Sequence, residues 1–415
     1  MNKTILPRQF IRVAASNELT SAENALDYVD AFMISQPFVC KMGTSIAAYL
    51  QKYKKPFLFD PETYRYFFPA KRHLKNKKPR LWLKEMSLMM PEEIKNSFGQ
   101  RKASLTNFDG SSIIEFCQAN LEIQTSLKGQ DGNPLLPLAI MCPYAMIDNV
   151  EISKKTMFHI QIVNTMNKIN KTGLPVVATI YLARELLSNP VRLNNIAESF
   201  NVSHCLGVAV WIDNFDEATA DDIELENLKD FYLKLSESKH VLAHYAGIAQ
   251  ILMMYSGINS ITHGIHYQMM KNGVSEGGGP AHYFYLPNIR QRIRTIDAAA
   301  IVARQAFNRQ EYLTAICNCP ICYSEISHNP KDAILALEGN TSEQVSRLIT
   351  HFAHNKRLEI HNIRYLSKEQ YAEWLLTGSR QLDLTDDELV YVETIERWIS
   401  AILNIHTEEF CSESV

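Results

Sequence analysis

Over the first three hundred residues, short apolar runs alternate with amphipathic stretches, and this alternation constrains the fold more than any other feature. The runs are Ala31–Cys40, Pro56–Phe59, Leu135–Cys142, Leu174–Leu182, Leu206–Ile212, His240–His244 and Ile258–Ile261. Each is nearly continuous in apolar residues, which is how parallel strands buried on both faces read. Between them, Lys154–Ile169, Leu193–Phe200, Ile223–Glu237 and Ile248–Tyr255 carry apolar residues at helical spacing. Strands and helices in this order build βα units around a parallel sheet. Seven runs, with an eighth near Tyr283–Leu286, predict an α/β fold of the (β/α)8 TIM-barrel type. A doubly wound open sheet is the alternative.

After Arg294 the texture changes. Helical stretches at Asp297–Phe307, Ser342–Asn355 and Ser367–Leu376 surround a cysteine-rich segment, and an amphipathic helix is expected over Asp386–Ile405. The pattern predicts a barrel over residues 1–296, with a basic insertion at 70–110, and a zinc-binding helical subdomain over 297–415. The apolar positions of the last helix, Leu389, Val392, Ile395, Ile399 and Leu403, are expected to pack in cis on the barrel.

Bulk composition narrows the function classes. Hydrophobic residues make up 46% and charged residues 21%, with a net charge of −3, so overall charge gives no reason to expect a polyanion partner. A local basic patch stays open. No window approaches 18 consecutive apolar residues, and Met1–Phe10 lacks the apolar stretch of a signal peptide, so no membrane partner is expected. The eight cysteines form one cluster of three and five scattered residues, unlike a disulfide framework. A reducing, cytoplasmic location is the expectation.

The cluster reads Cys317-Asn-Cys319-Pro-Ile-Cys322. Three thiolates this close can face one point if the chain turns tightly, and Pro320 favours that turn. Tetrahedral Zn2+ needs a fourth ligand, commonly histidine; His328, His351, His354 and His361 follow downstream. Such an ion would be structural, because four protein ligands leave no position for water.

The C-x-C-x-x-C run, together with Ile360-His361-Asn362-Ile363-Arg364-Tyr365, resembles the zinc subdomain of tRNA-guanine transglycosylases. The resemblance is specific in the last hundred residues. It implies that His361 is the fourth ligand. It further implies a (β/α)8 barrel exchanging a guanine base in nucleic acid, DNA or tRNA, for a 7-deazaguanine base. One aspartate of that family attacks the ribose C1′ and another acts as general acid/base. Asp60, ending the run Phe57-Leu58-Phe59-Asp60, stands where the family has its acid/base aspartate. The nucleophile's place in Tyr255–His266 falls on Thr262, beside His263. Relatives that keep zinc but lack catalysis serve as accessory subunits, so a non-catalytic nucleic-acid-binding role is the alternative. A homodimer or an accessory subunit is the protein partner implied.

Residues at the ends of barrel strands supply further candidates, since catalytic groups of barrels come from several strand ends. Asp213 is the substitute nucleophile, and His263 a candidate base. Tyr64, Cys142, Tyr181, His244, Gly247 and His266 are candidates for the substrate pocket. Cys142 and Tyr181 adjoin the family's base-recognition positions. The segment Lys71–Lys84 holds seven basic residues and no acidic one, after the aromatic string Tyr64–Phe68. Lys75, Lys77, Lys78 and Arg80 are therefore candidate phosphate contacts, as are Arg290, Arg292 and Arg294. Gly277–Pro280 reads as a loop at the same face. A metal-dependent barrel hydrolase is disfavoured, because no His-x-His or His-Glu-x-x-His spacing occurs.

Overall fold

A computed structural model describes residues 8–67, 74–75, 78–79, 86–87, 89–92, 108–264, 283–338 and 341–406. Eight strands, β1 (Gln9–Val13), β2 (Ala31–Ser35), β3 (Phe57–Asp60), β4 (Ile140–Met141), β5 (Val176–Leu182), β6 (Gly207–Ile212), β7 (His240–Ala243) and β8 (Ile258–Gly264), form the continuous path of one sheet, and a ninth short strand, Met146–Ile147, pairs with β5 off that path. The spatial order is β3-β2-β1-β8-β7-β6-β5-β4, and neighbours pair in parallel. The two ends of this path meet where Leu138 N donates to Phe57 O at 2.9 Å. The sheet is thus a nearly closed parallel barrel, and a helix lies between each pair of consecutive strands.

Side-chain alternation along the strands sorts the cores. Phe10, Met33, Leu58, Met141, Val177, Ala209 and Leu242 form a separate buried cluster that fills the lower interior. Neighbouring positions such as Ile11, Phe59, Ala178 and Val210 belong to the larger outer cores against the helices. Helix starts are set locally. Asp109 accepts from Ser111 N and Ser112 N at 2.9 and 2.8 Å, and Asp221 with Glu224 forms a reciprocal capping box.

Two strand expectations are corrected. Tyr283–Leu286 is not a barrel strand; it pairs antiparallel with Gln291–Arg294 in a hairpin outside the barrel. The missing strand is β1, whose five residues, QFIRV, contain a glutamine and an arginine. The run Ala31–Cys40 also divides, because Pro37 sits in the first turn of a helix, Gln36–Tyr53.

Beyond the hairpin the chain is helical. A capping box of Thr341 and Gln344 opens a helix, Ser342–Tyr365, far longer than the Ser342–Asn355 expected. The closing helix is shorter than expected, running Val390–Trp398 with a wider turn over Ile399–Leu403. It packs in cis: Trp398 Nε1 donates to Glu217 O at 2.9 Å and Lys229 Nζ to Ala401 O at 3.1 Å. No helix among the described residues is long and apolar enough to cross a membrane.

Candidate functional site

The three cysteines do face one point. Cys319 lies at the start of a short helix, Pro320–Glu325, which places Cys322 one turn later. The imidazole that joins them belongs to His351, in the long helix, and not to His361. His351 Nδ1 lies 3.2, 3.3 and 3.9 Å from the sulfurs of Cys319, Cys322 and Cys317. Four ligand atoms lie within 4.8 Å of one another, all on buried residues. Tetrahedral zinc with bonds of about 2.3 Å to sulfur and 2.0–2.1 Å to nitrogen sets S···N separations near ~3.6 Å. The observed cluster matches that size, so it can hold a metal ion.

The surroundings fix the ligand orientations. His351 Nε2 lies 2.7 Å from Tyr285 O, so the proton sits on Nε2 and the Nδ1 lone pair points at the sulfurs. Hydrogen bonds with Cys319 and Cys322 hold the Cys317 sulfur well below the usual thiol range, outweighing its burial. The correction at His361 has a geometric cause. His351 and His361 share one continuous helix, so ten residues put them about 15 Å apart along its axis. His361 is exposed, with its ring against Tyr365 at 4.5 Å.

At the carboxyl ends of the strands the interior becomes polar and aromatic. Asp60 is buried and accepts from three neighbours. Tyr144 Oη donates at 2.7 Å, Glu62 N at 3.2 Å and Arg12 Nε at 3.3 Å. Glu62, also buried, has φ of 50° and ion-pairs with Arg12 and with Arg65, the latter at 2.5 Å. A left-handed backbone at a non-glycine residue costs of order 1 kcal/mol, so the paired arginines hold a strained position. Burial opposes the charge on Arg12, but Tyr245 and Asp60 outweigh it and raise its pKa.

Five rings, Tyr64, Tyr144, Tyr181, Trp211 and Tyr245, form one buried cluster there, each at most 3% exposed. Tyr181 stacks on Trp211 at 3.8 Å, and Tyr64 meets Trp211 edge-on at 4.8 Å. Tyr181 Oη donates to Asp213 at 2.7 Å, and burial with Asp213 pushes that hydroxyl's pKa far up. His244 Nδ1 lies 3.0 Å from Thr262 Oγ1, which also accepts from Tyr245 N at 3.3 Å.

Of the residues expected in the pocket, Asp60, Tyr64, Tyr181, Asp213 and His244 gather at this mouth. Three do not. His263 lies on the outer face of β8, since its register partner is the outward Ile11; its ring meets Phe352 at 5.1 Å and its Nε2 meets Gln9 Nε2 at 2.9 Å. It therefore cannot serve Thr262. Cys142, one residue past the inward Met141, is buried in the outer core. Gly247 serves the chain itself: its N donates at 2.7 Å to Glu217, and a Cβ there would lie 2.4 Å from Glu217 Oε2. Among the arginines, Arg290 is a buried side chain over Trp374 at 3.8 Å, and Arg294 is exposed and paired with Asp297 at 2.7 Å. Arg292 stands over Tyr283. Lys77, Arg80, His266 and Gly277–Pro280 lie outside the described residues. So do the side chains of Lys75 and Lys78, whose backbones form a two-residue hairpin pair.

Sequence reasoning missed Arg12, Glu62, Arg65, Tyr144, Trp211 and Tyr245. Arg12 had a signal, a lone charge in a short strand otherwise lacking one; Glu62 and Arg65 follow within five residues of Asp60.

These features define a parallel (β/α)8 barrel with carboxylates, arginines and stacked rings in its mouth, and a C-terminal Cys3His cluster able to bind zinc. No family model matches the sequence, and no curated protein matches it.

Proposed function

We propose that this chain acts on a base in nucleic acid, exchanging a guanine for a 7-deazaguanine in the manner of the transglycosylases its cysteine run resembles. One observation carries the reading: Asp60 and Asp213 both attach by tyrosine hydroxyls to a single cluster of stacked rings. A base needs a stacking surface, and bond exchange at C1′ needs two carboxylates in distinct roles. The Ile360–Tyr365 string gives no support, because His361 lies away from the sulfurs; the reading rests on the mouth and on the Cys3His cluster.

The hydrogen bonds suggest the roles. Asp60, whose oxygens accept from three donors, would attack C1′ with departure of the base. Asp213, half-buried and bonded to the Tyr181 hydroxyl, would give a proton to the leaving guanine. It would then take one from the incoming 7-deazaguanine, which attacks C1′ and releases Asp60. This reverses the assignment expected from sequence. Rings in such close contact leave no gap for a base, so Tyr64 or Tyr245 must turn aside on binding. Cys317, Cys319, Cys322 and His351 would hold zinc as a structural ion, all four positions being filled by protein.

A second reading, a binding protein without catalysis, is favoured by Thr262, which stands in the nucleophile's place and is tied to His244. Incorporation of labelled 7-deazaguanine into DNA or tRNA separates the two. Exchange predicts incorporation that Asp60→Asn abolishes and Asp213→Asn slows at least about 100-fold, as general-acid loss does. Binding of nucleic acid with no incorporation into either substrate establishes the second reading.

A further inference from the structure

The Cys3His cluster has polar neighbours beyond its four ligand residues. Tyr312 lies in the helix just before the cysteines, Arg309–Ala315, and is fully buried. Its carbonyl accepts from Cys317 N at 3.2 Å, and its hydroxyl reaches the sulfur of Cys322 at 3.3 Å. One residue thus grips both ends of the cysteine run. Asn355 follows His351 by one turn of the long helix, on the same face, and is only 3% exposed. Its Nδ2 donates to His351 O at 2.8 Å and lies 3.7 Å from the sulfur of Cys317.

The backbone serves the third sulfur, Cys319 accepting from Cys322 N at 3.3 Å. Each sulfur therefore meets a donor, and two of these donors are side chains outside the ligand set. Protonation fixes the direction of the contacts. A metal-bound cysteine is a thiolate with no proton to give, so the tyrosine hydroxyl and the amide Nδ2 must donate. The need for them is electrostatic. Three thiolates (−3) on a divalent cation (+2) leave a charge of −1, and all four ligand residues are buried. Buried charge is costly unless hydrogen bonds meet it, and bonds to an ionised acceptor are about twice as strong as neutral ones. Phenylalanine would fill the place of Tyr312 without a hydroxyl, so packing alone gives no reason for the oxygen.

We infer that Tyr312 and Asn355 are positioning residues for the ion this cluster would hold, donating to the sulfurs of Cys322 and Cys317 and drawing charge from them. The inference rests on the reading of the cluster as a metal site. It adds two residues outside the cysteine run, Tyr312 five positions before its first cysteine and Asn355 four after the histidine. The thiolate is the reactive form of cysteine, and a donor aimed at it makes the sulfur a poorer electron source. The arrangement therefore keeps these sulfurs for holding an ion and not for attack on another molecule.

The test is cobalt(II) substitution in the full chain, read by absorption, with zinc affinity taken from competition against a chromogenic chelator. Tyr312→Phe keeps the ring and Asn355→Leu keeps the branched shape, so the packing changes little. A thiolate that loses its donor gives up an electron more readily. The sulfur-to-cobalt charge-transfer bands should therefore move to longer wavelength in each variant. Zinc affinity should fall about 10- to 100-fold, as on loss of an outer partner. His361→Ala, exposed and outside the cluster, should match the parent in both readouts. Weaker zinc binding with the parent's band positions would mean a packing role alone and overturns the inference; so do variants that match the parent in both readouts. In either case cobalt binding by the parent leaves the metal reading standing. A parent chain that takes up neither ion ends that reading and this inference together.

Discussion

The assignment of His351 as the fourth ligand makes a prediction that can be worked through from geometry. Replacing it with alanine removes the only imidazole among the described residues that lies within bonding range of the three sulfurs. His361 cannot substitute, because about 15 Å of helix separates it from residue 351 and a Zn–N bond spans only 2.0–2.1 Å. His354, one turn further along, is engaged elsewhere, its ring edge-on to Tyr28 at 5.0 Å.

Loss of an outer partner of a metal ligand already lowers affinity about 10- to 100-fold. Loss of the ligand itself should exceed the upper figure, more than roughly 2.7 kcal/mol. His351→Ala also leaves Tyr285 O without its donor, and it leaves three buried thiols facing each other. Metal binding is folding free energy in sites of this kind, so the helical appendage should unfold at a lower temperature. The assay is metal content after dialysis, with zinc competition by a chromogenic chelator. The parent chain, His361→Ala and His354→Ala should each retain about one zinc, and His351→Ala should not. Retention by His351→Ala, or release by His361→Ala, refutes the geometry.

Two further outcomes follow from buried groups. Burial lowers His159 to a pKa of about 4 and His263 to about 3, so both are neutral when folded, whereas the unfolded chain protonates them near 6.5. Stability is therefore full above about pH 7 and falls with acid. Between pH 7 and 5 each histidine should cost roughly 2 kcal/mol; urea midpoints that stay flat over that interval would contradict neutral burial. Gly247→Ala should destabilise the chain by about 1–3 kcal/mol, since its Cβ would displace the Glu217 carboxylate from the helix it caps. An unchanged denaturation midpoint would show that the loop yields freely.

The parallel barrel was legible because strands buried on both faces must be apolar throughout. What an apolar run cannot say is which partner buries it. Tyr283–Leu286 is as apolar as a barrel strand, yet it is covered by the long helix, with Phe284 stacked on His351 at 4.6 Å. β1 escaped notice for the opposite reason: its Arg12 is a charge the interior needs at Asp60, and polarity in a strand reads as exposure. Strand ends bring Asp60, Asp213, Tyr181 and His244 to the mouth, but the placement of His263 depends on parity. Thr262 shares a face with Ser260, and His263 shares one with Ile261, so only one of two adjacent candidates can enter the mouth. The fourth ligand was chosen by resemblance where the deciding fact was the length of one helix. Had the chain left the helix at Asn355, residue 361 could have turned back; a helix continuing to Tyr365 carries it away.

The Cys3His cluster and the barrel face are linked through the hairpin. Tyr285 accepts from His351 through its carbonyl, and its hydroxyl bonds to Glu359, which is paired with Lys356 at 2.8 Å. A few residues on, Arg290 turns the hairpin with φ of 58° and stacks on Trp374 from the next helix. Among the described residues the hairpin pairs only its own two strands, and a two-stranded ribbon is marginal in water. Its side chains pack with those of the appendage, Phe284 and Tyr285 sharing one buried core with Cys317, Cys319 and Cys322. An ion held there would thus act at a distance from the mouth, by fixing the strand that presents Arg290, Gln291 and Arg292 beside it.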